Sequence, residues 1–240
     1  MGTIDIFYKT YYKDFEWLNY SLQSLTKYVT GYNKIIILVP ERFKNMFTPI
    51  LPPRTEVHFV PDEGVGYLRQ QAYKMQAWKY SDADYILFAD SDCLFDHPVN
   101  LQDLPEQPVI LYTDYELMET VENVGGGNAR CWQACTEKFI GRPVQYEFMR
   151  RNFLVYLRNT LINIDAAFPN LINDIMASTR FSEFNFIGAY CWFNEPHYYK
   201  FINTESLPYP VLGRQFWSHD KIDGKIKLEI EKILHLQKTN

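Results

Sequence analysis

Apolar runs and amphipathic stretches alternate along the first half of the chain in a strand-then-helix rhythm. Thr3 to Tyr8 reads as a first strand, and Thr10 to Lys13 as a polar, tyrosine-rich turn after it. Leu18, Leu22, Leu25 and Val29 recur at spacings of four, three and four, which draws one apolar stripe along a helix. Asp14 stands where that helix would be capped and Gly31 where it would stop. Lys34 to Val39 is a second strand, Pro40 to Phe47 a short helix, and Val57 to Val60 a third strand closed by Pro61-Asp62-Glu63-Gly64. A long helix is predicted from about Tyr67 to Tyr80, with Leu68, Ala72 and Met75 as its core stripe and Arg69 and Lys74 on its surface. Ala83 to Ala89 is the fourth strand. Strands alternating with helices at this spacing predict an α/β fold with a parallel sheet.

The second half is less regular. Val109 to Leu111 predicts another strand, and Gly125-Gly126-Gly127-Asn128 a flexible loop. Ala129 to Phe139, Arg151 to Ile164 and Phe168 to Ser178 predict helices. A last helix, from Lys221 to Leu236, places Ile226, Ile230, Ile233 and Leu234 on one face. No internal repeat, low-complexity linker or clear domain boundary interrupts the 240 residues, so a single domain is expected.

Chemistry concentrates first at Tyr85 to Phe95, where an apolar run ends abruptly in Asp90-Ser91-Asp92. On an extended backbone, carboxylates two residues apart project to the same side. Like charges that close repel unless a cation lies between them. A hard divalent ion, Mn²⁺ or Mg²⁺, with phosphate oxygens as further ligands, fits the pair. The plain alternative is a solvated turn after a core strand. In open parallel sheets ligands sit outside the carboxyl ends of the strands, and Thr10, Tyr11 and Asp62 stand at such ends as well.

Three further residues have a chemical reading beside a structural one. Arg69, near a helix start, can meet phosphate oxygens, or can be an exposed arginine or an ion pair to a motif aspartate. Glu183 lies inside the apolar run Phe181 to Gly188. A partly desolvated glutamate suits general-base work on a hydroxyl, and the alternative is a salt-bridged or capping glutamate opening a helix with Ser182. His219, in Trp217-Ser218-His219-Asp220, is a hydrogen-bonded structural residue unless a metal is at hand, when imidazole completes a mixed nitrogen and oxygen sphere. His58 and His97 read as structural.

Composition narrows the classes. Hydrophobic residues make up 47%, which excludes disorder. Aromatics reach 17%, more than a core needs, and some of them suit stacking on sugar rings or bases. A net charge of −5 gives no global pull toward nucleic acid or anionic membrane. Cys93, Cys131, Cys135 and Cys191 have neither zinc-site nor secreted-disulfide spacing and read as reduced thiols. With no signal-like start and no membrane-length apolar run, a cytoplasmic protein without membrane partners is expected.

In combination, a strand ending in Asp90-Ser91-Asp92, a later acid in an aromatic segment and a C-terminal histidine resemble the GT-A class of nucleotide-sugar glycosyltransferases. More narrowly, the chain resembles a family of bacterial and viral glycosyltransferase-like proteins. That resemblance rests on Tyr67-Leu68-Arg69-Gln70-Gln71, Asp90-Ser91-Asp92, Phe148-Met149, Phe181-Ser182-Glu183-Phe184 with Gly188, and Phe216-Trp217-Ser218-His219. It implies a GT-A, Rossmann-like, mainly parallel sheet flanked by helices, with a helical acceptor-side insertion. Residues 1–100 would form the nucleotide-sugar half and 101–240 the acceptor side with a C-terminal helix. It implies that Asp92 and His219 bind Mn²⁺ or Mg²⁺ directly, with Asp90 helping through water or the donor ribose. Thr10, Tyr11 and Asp62 would cradle base and ribose, and Arg69 would touch the diphosphate or the motif aspartates. Glu183 would deprotonate the acceptor hydroxyl, so that a sugar moves from a nucleoside-diphosphate donor, a UDP-sugar, with inversion. The class commonly shows a small-residue loop shortly before the catalytic acid. Here that region holds Met149-Arg150-Arg151, so either the triglycine does that job or the acceptor side is rebuilt.

The acceptor stays open among a glycan, a small molecule and a hydroxymethylated viral DNA base. Arg130, Lys138, Arg142, Arg150, Arg151 and Arg158 form a basic patch for DNA or a set of solvated helix faces. The rival functions are a non-catalytic carbohydrate-binding protein and a sugar-phosphate nucleotidyltransferase. The second normally carries a glycine-rich, basic phosphate loop after its first strand, and Thr10 to Lys13 holds no glycine.

Overall fold

The computed structural model describes residues 2–62, 66–117, 130–148, 153–205, 211–217 and 222–234. The first half follows the predicted rhythm: β1 (Ile4–Lys9), α1 (Phe15–Tyr28), β2 (Val29–Thr30), β3 (Ile35–Pro40), a 3-10 helix Glu41–Met46, β4 (Thr55–Val60), α2 (Gly66–Met75) and β5 (Tyr85–Ala89). Next come β6 (Cys93–Leu94), β7 (Val99–Asn100), β8 (Val109–Asp114), α3 (Arg130–Ile140), β9 (Tyr146–Glu147) and β10 (Leu154–Leu157). The chain continues through α4 (Arg158–Ala167), α5 (Leu171–Ala177), α6 (Glu183–Asn194), β11 (Lys200–Asn203), β12 (Arg214–Gln215) and α7 (Gly224–Leu234).

The central sheet has five strands in the order β10-β5-β1-β3-β4. β1, β3, β4 and β5 run parallel, and β10 joins β5 antiparallel. The fold is therefore α/β, with a mainly parallel sheet flanked by helices. Strand succession runs from β1 outward to β4 and then jumps back across β1 to β5. That reversal falls between β1 and β5, and the carboxyl ends of strands at such a reversal are the usual ligand position in open α/β sheets.

Side-chain alternation assigns the two faces. Phe7, Ile36, Leu38, Ile86 and Phe88 point to one core, with Leu68, Ala72 and Met75 of α2, Leu161 and Ile164 of α4, and Phe186 and Ile187 of α6. Ile4, Ile6, Tyr8, Ile35, Ile37, Val39 and Leu87 point to the other, against Leu18, Leu22 and Leu25 of α1. The sheet is buried on both sides, so its strands read as continuous apolar runs. A third cluster, Trp17, Leu94, Phe216, Ile230 and Leu234, packs α7 against α1 and β6. Among the described residues, no helix is long and apolar enough to cross a membrane.

Four expectations need correcting. The segment expected as one helix from Arg151 to Ile164 opens instead with β10, whose residues pair with Tyr85 to Phe88 before α4 begins. α2 stops at Met75, and a separate 3-10 turn, Ala77–Lys79, follows. α1 ends at Tyr28, and Gly31, at φ +80, turns the chain only after β2. Arg69 and Lys74 are buried rather than on the surface. The glycines 125–127 and Asn128 lie outside the described residues.

Candidate active site at the carboxyl edge of the sheet

The register of β1 and β5 pairs Tyr8 with Ala89, which brings the residues beyond the two strands level. Thr10 and Ser91 then point to the same face, and the Ser91 hydroxyl donates to Thr10 Oγ1 at 2.9 Å. β5 ends at Ala89, and the Cys93 N–H donates to the Asp90 carbonyl at 3.0 Å. The chain therefore turns across Asp90 to Cys93. It is this turn, and not a continued extended backbone, that brings the two motif carboxylates together. Ligand atoms of Asp90, Asp92 and Cys93 all lie within 4.8 Å of one another. Cys93 is fully buried, and burial pushes its thiol pKa well up, so it keeps its proton. The remaining donors are hard carboxylate oxygens, which suit Mg²⁺ or Mn²⁺.

Lys74 is the organising cation. It is 1% exposed, and its Nζ donates to Asp90 Oδ1 at 2.5 Å and to Glu183 Oε1 at 2.7 Å. Its ammonium also lies 4.5 Å from the centre of the Phe184 ring. Burial alone would lower the lysine pKa, but Asp90 and then Glu183 outweigh it and hold the ammonium charged. Glu183 is 2% exposed; burial pushes its carboxyl above the ordinary value, and Lys74 pulls it back. Among the described residues, the Lys74 ammonium joins Asp90 to Glu183, and Asp92 lies beside Asp90, so oxygen donors of the kind a divalent cation takes are gathered at one point.

Glu183 is fixed by its helix. It is the first residue of α6, with Ser182 as N-cap accepting from the Asn185 N–H. The Glu183 N–H donates to Gln71 Oε1 of α2 at 3.0 Å. The helix-opening, ion-paired reading of Glu183 is thus realised, in a position that also faces Asp90 across a single ammonium.

A second group lines the β4 side. Arg69 pairs with Asp62, which also pairs with Arg42. Arg69 is thus held at the end of β4. The Arg42 guanidinium lies 4.6 Å from the Phe43 ring, and Tyr11 packs edge-on to Phe43 at 5.4 Å. Tyr11 and Asp62 are therefore linked through Phe43 and Arg42 of the 3-10 helix, while the Thr10 side chain bonds Ser91 instead.

His219 lies outside the described residues, as do Met149, Arg150 and Arg151. The described chain leading to His219 does run beside the motif. β12 pairs antiparallel with β6, and the Phe216 N–H donates to the Asp92 carbonyl at 2.7 Å. Arg158 belongs to no basic patch at this edge. Its Nε donates to the carbonyls of Trp78 and Ser81, at the amino end of β5. His58 and His97 sit beside Glu56 and Asp96.

The sequence reading missed Lys74, Gln71, Ser91 and Lys9. Gln71 and Lys74 fall on α2 between the core positions Leu68 and Met75, and that placement was the available signal. A polar residue in a buried stripe needs a partner. Compared with known proteins, the chain matches no family model and no curated protein.

Proposed function

We propose that this protein is a glycosyltransferase that moves a sugar from a nucleoside-diphosphate donor to an acceptor hydroxyl. The observation that carries the reading is the convergence of Asp90 and Glu183, 93 positions apart, on the Lys74 ammonium beside the strand reversal. An acidic rim for the donor and a buried carboxylate facing it are the two halves that such a transfer needs. Asp92 and Asp90, with His219 from the adjoining segment, would hold Mn²⁺ or Mg²⁺, which when bound supplies Lewis-acid neutralisation of the leaving diphosphate.

The protein's own groups divide the remaining work. Thr10, Tyr11 and Asp62 receive the nucleotide base and ribose along the wall built on Phe43. Lys74 keeps Glu183 oriented and bonds one of its oxygens, leaving the other to accept the proton of the attacking hydroxyl. The sugar's anomeric carbon becomes oxocarbenium-like, and attack from the Glu183 side inverts it. Glu183 must be ionised to act, and Lys74 favours that form against burial.

A carbohydrate or other small polar acceptor fits better than DNA. A cavity of about 520 Å³ is lined by Tyr146, Trp192, Gln133, Glu137 and Asp114. Phe148, also on its wall, takes its N–H to Asn185 Oδ1, two residues past Glu183. Aromatic faces with amide and carboxylate groups suit sugar rings, and the acids oppose a phosphate backbone.

Incubation with a panel of nucleotide-sugars and Mn²⁺ tests the proposal. Nucleoside diphosphate should be released, and Asp92→Ala should abolish release. Glu183→Gln should lower turnover about 10²- to 10⁴-fold while leaving donor binding in place. Donor binding without release, unaffected by either change, would identify a carbohydrate-binding protein instead.

A further inference from the structure

Lys9 ends β1 on the same sheet face as Phe7, one residue past the last β1–β5 pair, Tyr8 with Ala89, and the site described above does not use it. It is 5% exposed. Its Nζ donates to the Thr10 carbonyl at 2.9 Å and lies 5.7 Å from the Tyr73 ring centre. An ammonium has three donors, and no carboxylate takes one of them among the described residues. The charged and titratable groups around it are already engaged. On α2, Tyr73 donates to the Pro61 carbonyl, and Arg69 is paired with Asp62, which Arg42 shares. On the β5 side, Asp90 is held by Lys74. A buried lysine with no counter-charge is costly, and such groups concentrate where a ligand supplies the missing charge.

We infer that Lys9 is the phosphate-binding residue of the donor crevice, its ammonium taking a diphosphate oxygen as its counter-charge beside Thr10. The inference rests on the nucleotide-sugar reading above, which assigns the diphosphate to this edge but not to this residue. Position favours it: Lys9 sits between the Asp62 wall, where the nucleoside would lie, and the Asp90 turn. Its environment agrees. Burial first, and Arg69 second, lower the Lys9 pKa from 10.5 to about 7, so without a ligand it carries only part of a charge at neutral pH. An arriving phosphate reverses that balance, and the lysine takes up a proton as the anion binds.

Calorimetry on the full chain, in buffers of different ionisation enthalpy, reads this out. The probes are UDP and inorganic pyrophosphate at pH 8, each with Mn²⁺. Wild type should bind both and take up close to one proton per ligand more than Lys9→Met. Lys9→Met should bind about 10- to 100-fold more weakly. Lys9→Arg, always charged, should retain affinity without the extra uptake. Should Lys9→Met not fold, Lys9→Arg decides: it should bind both probes as tightly as wild type at pH 8 while taking up close to one proton fewer, and equal uptake in the two proteins overturns the inference. Equal affinity and equal proton uptake in wild type and Lys9→Met overturn the inference and leave the nucleotide reading intact. Pyrophosphate binding with these Lys9 effects, but no UDP binding, overturns a uridine-diphosphate donor and leaves the inference. Failure of wild type to bind pyrophosphate overturns the inference outright.

Discussion

Lys74 shows how one side chain sets the state of several others. Its ammonium is buried, and each of its two carboxylate partners comes from a different element. Removing one member of a buried ion pair strands the charge left behind, which typically costs about 3–5 kcal/mol. Lys74→Met keeps the length and apolar stem of the lysine but leaves Asp90 and Glu183 facing each other without a counter-charge. Urea unfolding should show a loss of about that size, and Glu183 should then titrate higher and work poorly as a base at neutral pH. Lys74→Met with wild-type stability and turnover would mean that the bridge holds nothing together. The acids at this centre were legible from sequence because each stands out in an apolar run. The lysine was not, since a charge on an amphipathic helix ordinarily reads as solvent-facing, and only partners from two other segments, Asp90 after β5 and Glu183 of α6, make its burial tolerable.

α6 reaches the site by packing unusually close to its neighbour. A Cβ built on Gly188 would lie 2.3 Å from the Phe148 Cβ and 2.5 Å from its ring. In an open helix, glycine to alanine gains roughly 0.5–1 kcal/mol. Here the sign reverses, because overpacking a filled core costs about 1–3 kcal/mol. Gly188→Ala should therefore lower the melting temperature, and it should lower turnover too, since Phe148 is bonded to Asn185 one turn before the glycine. A stabilised Gly188→Ala protein would show that the two elements have slack between them. At this scale the strands of the first half and most helices were readable from periodicity. β10 was not, because Leu154 to Leu157 run into α4 without a breaker and are too few to show a period. Only pairing with β5, which donates its free edge, makes that segment a strand.

The molecule as a whole is two cores on either side of one sheet, with a third, smaller cluster that closes the C-terminal end over the motif. Nothing in the local sequence announces the strand reversal beside the site, since it is a property of how distant strands choose neighbours. The C-terminal closure is likewise a long-range matter. Ile230 and Leu234 of α7 bury Trp17, Leu94 and Phe216, while Lys27 and Tyr28 of α1 donate to the last carbonyls of α7, at Leu234 and Ile233. Phe216 in turn bonds the Asp92 backbone. If the C-terminal segment is what completes the metal site, loosening α7 must weaken cation binding even though α7 touches neither motif carboxylate. Ile230→Ala should cost about 2–5 kcal/mol and Ile230→Val about 0.5–1.5 kcal/mol. Mn²⁺ affinity, measured by titration under conditions where both variants remain folded, should fall in the same order. An Ile230→Ala protein that is less stable yet binds Mn²⁺ as tightly as wild type would place the whole metal site within Asp90 and Asp92, and would remove any need for His219 in it.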